Sequence, residues 1–190
     1  MRWIKIVCIG LTLMAGVASA DDAVRPLPKL KIDSSRVAVA GLSSGAYMAT
    51  QMQVAYPELF PDAALVAGGP YGCAEGKLQV ALSTCMKGTP APDVSALVAT
   101  AKQRAASGQI GPLSDLSHGR VYLLHGTEDA LVAPAVAEAA AHFYEALRRE
   151  PGMSDLVVTD DGQRAFAHNL PIAASGDDCG KSVSPYLGHC

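Results

Sequence analysis

The sequence predicts an α/β protein built on a mostly parallel sheet with helices on both faces. Short apolar runs rich in β-branched residues alternate with longer stretches of helix formers. The runs are continuously apolar rather than alternating, as in parallel strands buried on both sides. Three of them end in glycine or in chemically active side chains, where sites in such sheets lie.

Residues 21–34 contain proline and lysine and form an entry segment. Residues 36–40, Arg-Val-Ala-Val-Ala, stop at Gly41 and read as the first buried strand. Residues 46–56 carry helix formers and meet no breaker before Pro57. Residues 63–67 make a second strand, ended by Gly68-Gly69-Pro70. Two cysteines and three prolines mark 70–92 as a loop-rich insertion. A helix follows at 93–107, with Asp93 as N-cap and Gly108 as its stop. Residues 121–124 form a third strand leading into His125-Gly126. Residues 134–149 form a helix with Pro134 in its first turn and Arg148-Arg149 at its end. Residues 156–159 form a fourth strand, and the remainder reads as irregular.

Composition removes several function classes. The 190 residues are 49% hydrophobic and 17% charged, which excludes a disordered chain. The net charge of −3 leaves no basic excess to neutralise phosphates, so nucleic acid is not expected as a partner. The first twenty residues read as a secretory signal peptide: Arg2 and Lys5, an apolar run over 6–17, then Ala18-Ser19-Ala20 as the cleavage site. That run is shorter than the ~20 residues of a membrane-spanning helix, and no other stretch is apolar enough to span. The expectation is an exported protein, extracellular or periplasmic, with residues 21–190 as one catalytic domain and no membrane contact after cleavage. Removing two bases and no acids takes the net charge from −3 to −5. The four remaining cysteines, an even number in an exported chain, favour two disulfides. Three pairings are possible, and the clustering suggests Cys73–Cys85 and Cys179–Cys190. The spacings do not suit a zinc site, and neither metal nor cofactor is expected.

The candidate chemistry begins at Gly41-Leu42-Ser43-Ser44-Gly45, a G-x-S-x-G between a strand and a helix. Such a turn lifts a serine hydroxyl above the sheet, and flanking glycines remove side chains that would clash. The next residue's N–H, that of Ser44, points to where an oxyanion would form. Serine is a weak nucleophile until a base takes its proton, and the base needs a carboxylate to orient it. In chain order the acid comes next. Asp129 follows the third strand within a short turn, with Glu128 as its local competitor and a helix-capping role as its plain alternative. His168, in the loop after the last strand, fits the base. His125 reads as structural, bracing the turn. His118, His142 and His189 fit less well by position.

The run Gly41 to Ala49, with Tyr56-Pro57 and Ala67 to Cys73, resembles secreted poly(3-hydroxybutyrate) depolymerases and related esterases. His125-Gly126-Thr127-x-Asp129 and His168-x-x-Pro171 look like that family's acid and base motifs, and the resemblance spans about 33–190. It implies an α/β-hydrolase fold, Ser43 as nucleophile, Asp129 as acid, His168 as base, and hydrolysis of polyester or small esters without a metal. It also implies a circularly permuted branch, since so few residues precede Ser43, and a C-terminal continuation carrying further strands and a second oxyanion donor. Two other readings stay open: a feruloyl or acetyl-xylan type esterase, and a truncated, inactive domain with only a binding role.

Overall fold

The computed structural model describes residues 28–33 and 36–190. The signal-peptide segment lies outside the described residues. The chain divides into two units, Met1–Ile32 and Asp33–Cys190. The described part of the first, residues 28–32, is exposed and without regular structure.

In the second unit β1 (Ala38–Leu42), β2 (Asp62–Val66), β3 (Arg120–Gly126) and β4 (Val157–Arg164) form one sheet in the order β1-β2-β3-β4, every pair parallel. The expected parallel α/β architecture is therefore present. β1 starts and ends two residues later than the apolar run at 36–40. β4 runs on past Thr159 through Asp160-Asp161-Gly162, where polar residues hid its continuation. Tyr122 on β3 donates to Asp161 Oδ2 at 2.7 Å, and Arg164 Nε donates to the same oxygen at 2.7 Å, so these polar residues are tied into the sheet.

The helices show why one face is well covered. α1 (Ser44–Ala55) buries Ala46, Ala49, Thr50, Gln53 and Val54, a stripe at helical spacing. α5 (Pro134–Arg148) buries Val136, Ala139, Ala140, Phe143, Tyr144 and Leu147 on the same principle. α4 (Val94–Ala106) is capped by Asp93, whose carboxylate accepts from Ala96 N at 3.1 Å. Tyr144 Oη donates to Gln53 Oε1 at 2.8 Å, so α5 and α1 touch and share one side of the sheet. Val39, Ala63, Leu65, Val121 and Leu123 meet them in the main core.

Among the described residues the helices that pack on the sheet, α1, α4 and α5, lie on one face. Strands laid down in sequence order with right-handed crossovers place every connecting helix on the same side. The other face is covered at its carboxyl end by Phe166 and Cys179, which pack on Leu42, Val66, Tyr122 and Leu124.

Two segments read as irregular carry structure. The insertion at 70–92 holds α2 (Leu78–Leu82) and α3 (Thr84–Lys87), and the Cys73–Cys85 disulfide pins it. The C-terminal segment forms a small parallel sheet in the order β5-β7-β6, from β5 (Leu170–Ile172), β6 (Asp177–Asp178) and β7 (Leu187–His189). The Cys179–Cys190 disulfide closes it. Both pairings match those the clustering suggested. Strands of two or three residues leave no periodicity to read, which is why the sequence showed none.

Candidate active site

Ser43 follows β1 directly and serves as the N-cap position of α1 with φ 56° and ψ −121°. A non-glycine residue at positive φ costs roughly 1–3 kcal/mol and persists only when its surroundings impose it. They do: Ser43 N donates to Val66 O at 2.9 Å, and Ser43 O accepts from Tyr47 N at 3.0 Å. The side chain makes no capping bond, so Oγ is left for other work. Ser44 opens α1, so its N–H is one of the orphan donors of the helix start. The two flanking glycines are not equivalent. A Cβ at Gly41 would overlap the backbone of Gly45, whereas a Cβ at Gly45 would meet nothing within 4 Å. Steric need therefore accounts for the first glycine of the motif and not the second.

Asp129 lies in the turn after β3 with its side chain wholly inaccessible. Oδ1 accepts from Leu131 N at 2.8 Å and Val132 N at 2.9 Å. Oδ2 accepts from His168 Nδ1 at 2.8 Å. Burial pushes the Asp129 carboxyl up, but the hydrogen bonds from His168, Val132 and Leu131 outweigh it and hold the group below its usual range. The carboxylate is ionised and can only accept, so Nδ1 is the donor in this bond. Glu128 is exposed and takes no part in this pairing.

His168 is held by backbone and neighbours. Its N–H donates to Ser182 Oγ at 3.0 Å, and the Tyr186 ring meets its imidazole edge-on at 6.3 Å between centroids. Asn169 beside it is buried, and its Nδ2 donates to Cys179 O at 2.8 Å and Lys181 O at 3.0 Å. Sequence reading missed Ser182, Asn169 and Tyr186. Asn169 adjoins the candidate base, but nothing in the sequence showed that residues 179–186 fold back onto it.

The structure thus brings Asp129 and His168 together and sets Ser43 at the carboxyl end of the same sheet. Among the described residues no hydrogen bond joins Ser43 Oγ to His168. His125 is buried, but both its ring nitrogens lack partners, and Nδ1 lies 4.0 Å from Asp129 Oδ2. It sits in the turn as the sequence reading placed it, held by packing. Burial, opposed in part by the Asp129 charge, pushes its pKa down and keeps it neutral.

Beside Ser43 opens a cavity of about 470 Å³ that also reaches Ser44, Tyr47, Met86, Arg104 and Val132. The insertion forms one wall. Tyr47 Oη donates to the Cys85 carbonyl, and Ala133 N donates to Met86 O at 2.8 Å, which ties the insertion to α1 and to the Asp129 turn.

No protein-family model matches the chain. A poly(3-hydroxybutyrate) depolymerase of Delftia acidovorans is 36% identical over 178 residues, covering 93% of this chain and 35% of that protein. A polyhydroxybutyrate depolymerase of Talaromyces funiculosus is 29% identical over 188 residues, covering 96% of this chain and 52% of its own. A feruloyl esterase B of Thermothelomyces thermophilus is 34% identical over 124 residues, covering 60% of this chain and 38% of that one. Among solved structures, PHB depolymerase from Penicillium funiculosum superposes with a TM-score of 0.69 at 27% identity, covering 86% of this chain and 50% of that chain. A PHB depolymerase complexed with an R3HB trimer gives 0.68 at 26% identity, with the same coverage. The chain therefore spans about half or less of the length of these relatives.

Proposed function

The chain belongs to a poly(3-hydroxybutyrate) depolymerase-like family with the α/β-hydrolase fold, and from that premise we propose that it is an exported serine esterase acting on hydroxyalkanoate polyester. The observation that carries this reading is the 2.8 Å bond between His168 Nδ1 and a buried, ionised Asp129 at the carboxyl ends of the strands that also carry a strained Ser43.

In the proposed reaction, Nε2 of His168 takes the proton of Ser43 Oγ as that oxygen attacks the ester carbonyl carbon. Asp129 stabilises the imidazolium through Nδ1. The Ser44 N–H donates to the oxyanion of the tetrahedral intermediate. Collapse breaks the carbonyl carbon–alkoxy oxygen bond, and Nε2–H protonates the departing alcohol. The acyl-enzyme ester on Ser43 is then attacked by water, deprotonated by the same nitrogen, releasing the hydroxyacid and restoring Ser43. The serine–histidine contact of such relays is often loose before substrate binds, which accommodates the lack of a bond between them here. The signal-peptide pattern and two disulfides support export, which suits a solid polymer that cannot enter a cell.

The test is Ser43→Ala in the full chain. It should lower hydrolysis of an (R)-3-hydroxybutyrate trimer at least 1,000-fold with no change in thermal midpoint. Undiminished hydrolysis would overturn the assignment. The feruloyl esterase likeness favours soluble esters as a second substrate class. Clearing of a polyester suspension compared with release from feruloyl and acetyl esters separates the two. A binding-only domain would not be labelled at Ser43 by a serine-directed phosphonate.

A further inference from the structure

We propose that Arg104 makes the cavity beside Ser43 a binding site for a free carboxylate, so that the ester nearest the carboxyl end of a hydroxyacyl chain is the one presented for cleavage. This rests on the reading of Ser43 as nucleophile. The cavity is otherwise walled largely by apolar groups, including Met48, Ala81, Met86 and Val132. Arg104, half-buried on α4, is the cation that reaches it.

The partners of that guanidinium are neutral. Nη1 donates to Tyr71 Oη at 3.1 Å, and Cζ stands 5.6 Å from the centre of the Tyr71 ring. Among the described residues no carboxylate lies within ion-pair distance of it. The other charged group on the cavity, Glu75, is already paired with Lys77 at 2.9 Å. A guanidinium has five donors in a fork that matches a carboxylate, and one of them is used here. A half-buried cation without a counter-ion favours an anionic ligand, and an apolar wall favours one carried on a short aliphatic body.

A cavity of this volume is about 10 Å across, room for one or two short hydroxyacyl units between Ser43 and Arg104. The unit whose carboxylate sits on Arg104 is then the alcohol side of the scissile ester. When Ser43 Oγ bonds to the acyl carbon, the carbon–alkoxy bond breaks. The terminal hydroxyacid leaves with a proton from His168 and its carboxylate still paired. Chains would be shortened from the carboxyl end.

The test measures binding in a Ser43→Ala background, so that turnover plays no part. The (R)-3-hydroxybutyrate trimer is titrated by calorimetry as free carboxylate and as methyl ester. The free carboxylate should bind at least 5-fold tighter at low salt, with the preference shrinking as salt rises. Arg104→Gln should bring the ratio to about one, Arg104→Lys should keep part of it, and Tyr71→Phe, which retains the charge, should keep most of it. Equal affinities with Arg104 present, binding of neither ligand, or a preference that survives Arg104→Gln would overturn the proposal. Hydrolysis of both forms by the protein with Ser43 intact is scored separately. Hydrolysis without a carboxylate preference sinks only this inference, and a preference without hydrolysis of either form sinks the catalytic reading and with it the cleavage end, leaving the carboxylate site alone.

Discussion

Replacing Asp129 by Asn tests the relay at its best-defined point. The carboxylate accepts three hydrogen bonds: two from backbone N–H groups onto Oδ1 and one from His168 Nδ1 onto Oδ2. Asparagine has one acceptor oxygen and one donor amide. The two backbone donors at 2.8 and 2.9 Å hold the oxygen on their side, because turning the amide toward them would set donor against two donors. The NH₂ must then face His168, which can meet it only by moving its proton from Nδ1 to Nε2. The nitrogen proposed to act as base loses its lone pair. A wrong tautomer with intact geometry costs about 10,000-fold in kcat in serine hydrolases, about 5.5 kcal/mol at 25 °C. Because the other two hydrogen bonds survive, folding should lose no more than about 1–3 kcal/mol. The assay is steady-state hydrolysis of the trimer methyl ester beside a thermal melt. Asp129→Asn retaining more than a tenth of the parent kcat, in a folded protein, would refute the relay.

Other outcomes follow from the same geometry. The Asp129 pKa is depressed in the fold, so its stabilisation is full above the unfolded value of about 3.9 and is lost as pH falls toward the folded value. Acid unfolding followed by circular dichroism should be less steep in Asp129→Asn. His125 also has a depressed pKa, so the unfolded chain takes up its proton first, and stability falls as pH drops below about 6.5. His125→Phe should flatten urea-derived stability against pH in that window. Gly41→Ala should destabilise by several kcal/mol through backbone overlap, and Gly45→Ala by less than about 1, because its Cβ position is open. Paired melts of the two variants check this. Opening the Cys179–Cys190 loop, an 11-residue separation, by serine substitution should cost about 3 kcal/mol in chemical denaturation.

What the sequence made legible depended on how locally each feature was encoded. β1, β2 and β3, α1, α4 and α5 each have an apolar run or stripe, a cap or a breaker, and their bounds fall within a few residues of expectation. Ser43, Asp129 and His168 stood out as candidates because each sits just past a strand end in the chain order such relays use, and the structure pairs two of them, Asp129 and His168. The C-terminal sheet was not, because β5, β6 and β7 are held by pairing with one another and by the Cys179–Cys190 disulfide. The helices in the insertion were hidden among prolines and cysteines, and they are held by Tyr47 and Ala133, which lie outside it. One-sided helix cover was implicit in the strand order, which no run of residues states.

The three arms of the site are held by different physics, and the differences have an order. Ser43 is fixed by the parallel sheet and by helix α1, whose packing sets its unusual backbone geometry. Moving it means disturbing the main core. Asp129 is fixed by three hydrogen bonds in a wholly inaccessible pocket, so breaking them would leave its ionised carboxylate uncompensated in low dielectric. His168 belongs to neither arrangement. Its loop rests on Ser182, on Asn169 bonding to Cys179 and Lys181 carbonyls, and on a sheet of two- and three-residue strands. Residues 166–169 are buried, but the segment behind them, 170–190, is mostly not: Cys179 reaches the second core cluster, while Val183 and Tyr186 are exposed. Regions with little burial open at lower free energy than the core. The proposed base is thus the arm most easily displaced, while the proposed nucleophile and acid are built into elements that unfold only with the domain. The disulfide that joins Cys179 to Cys190 acts on that weak arm, so its contribution falls on the placement of the imidazole more than on the core of the fold.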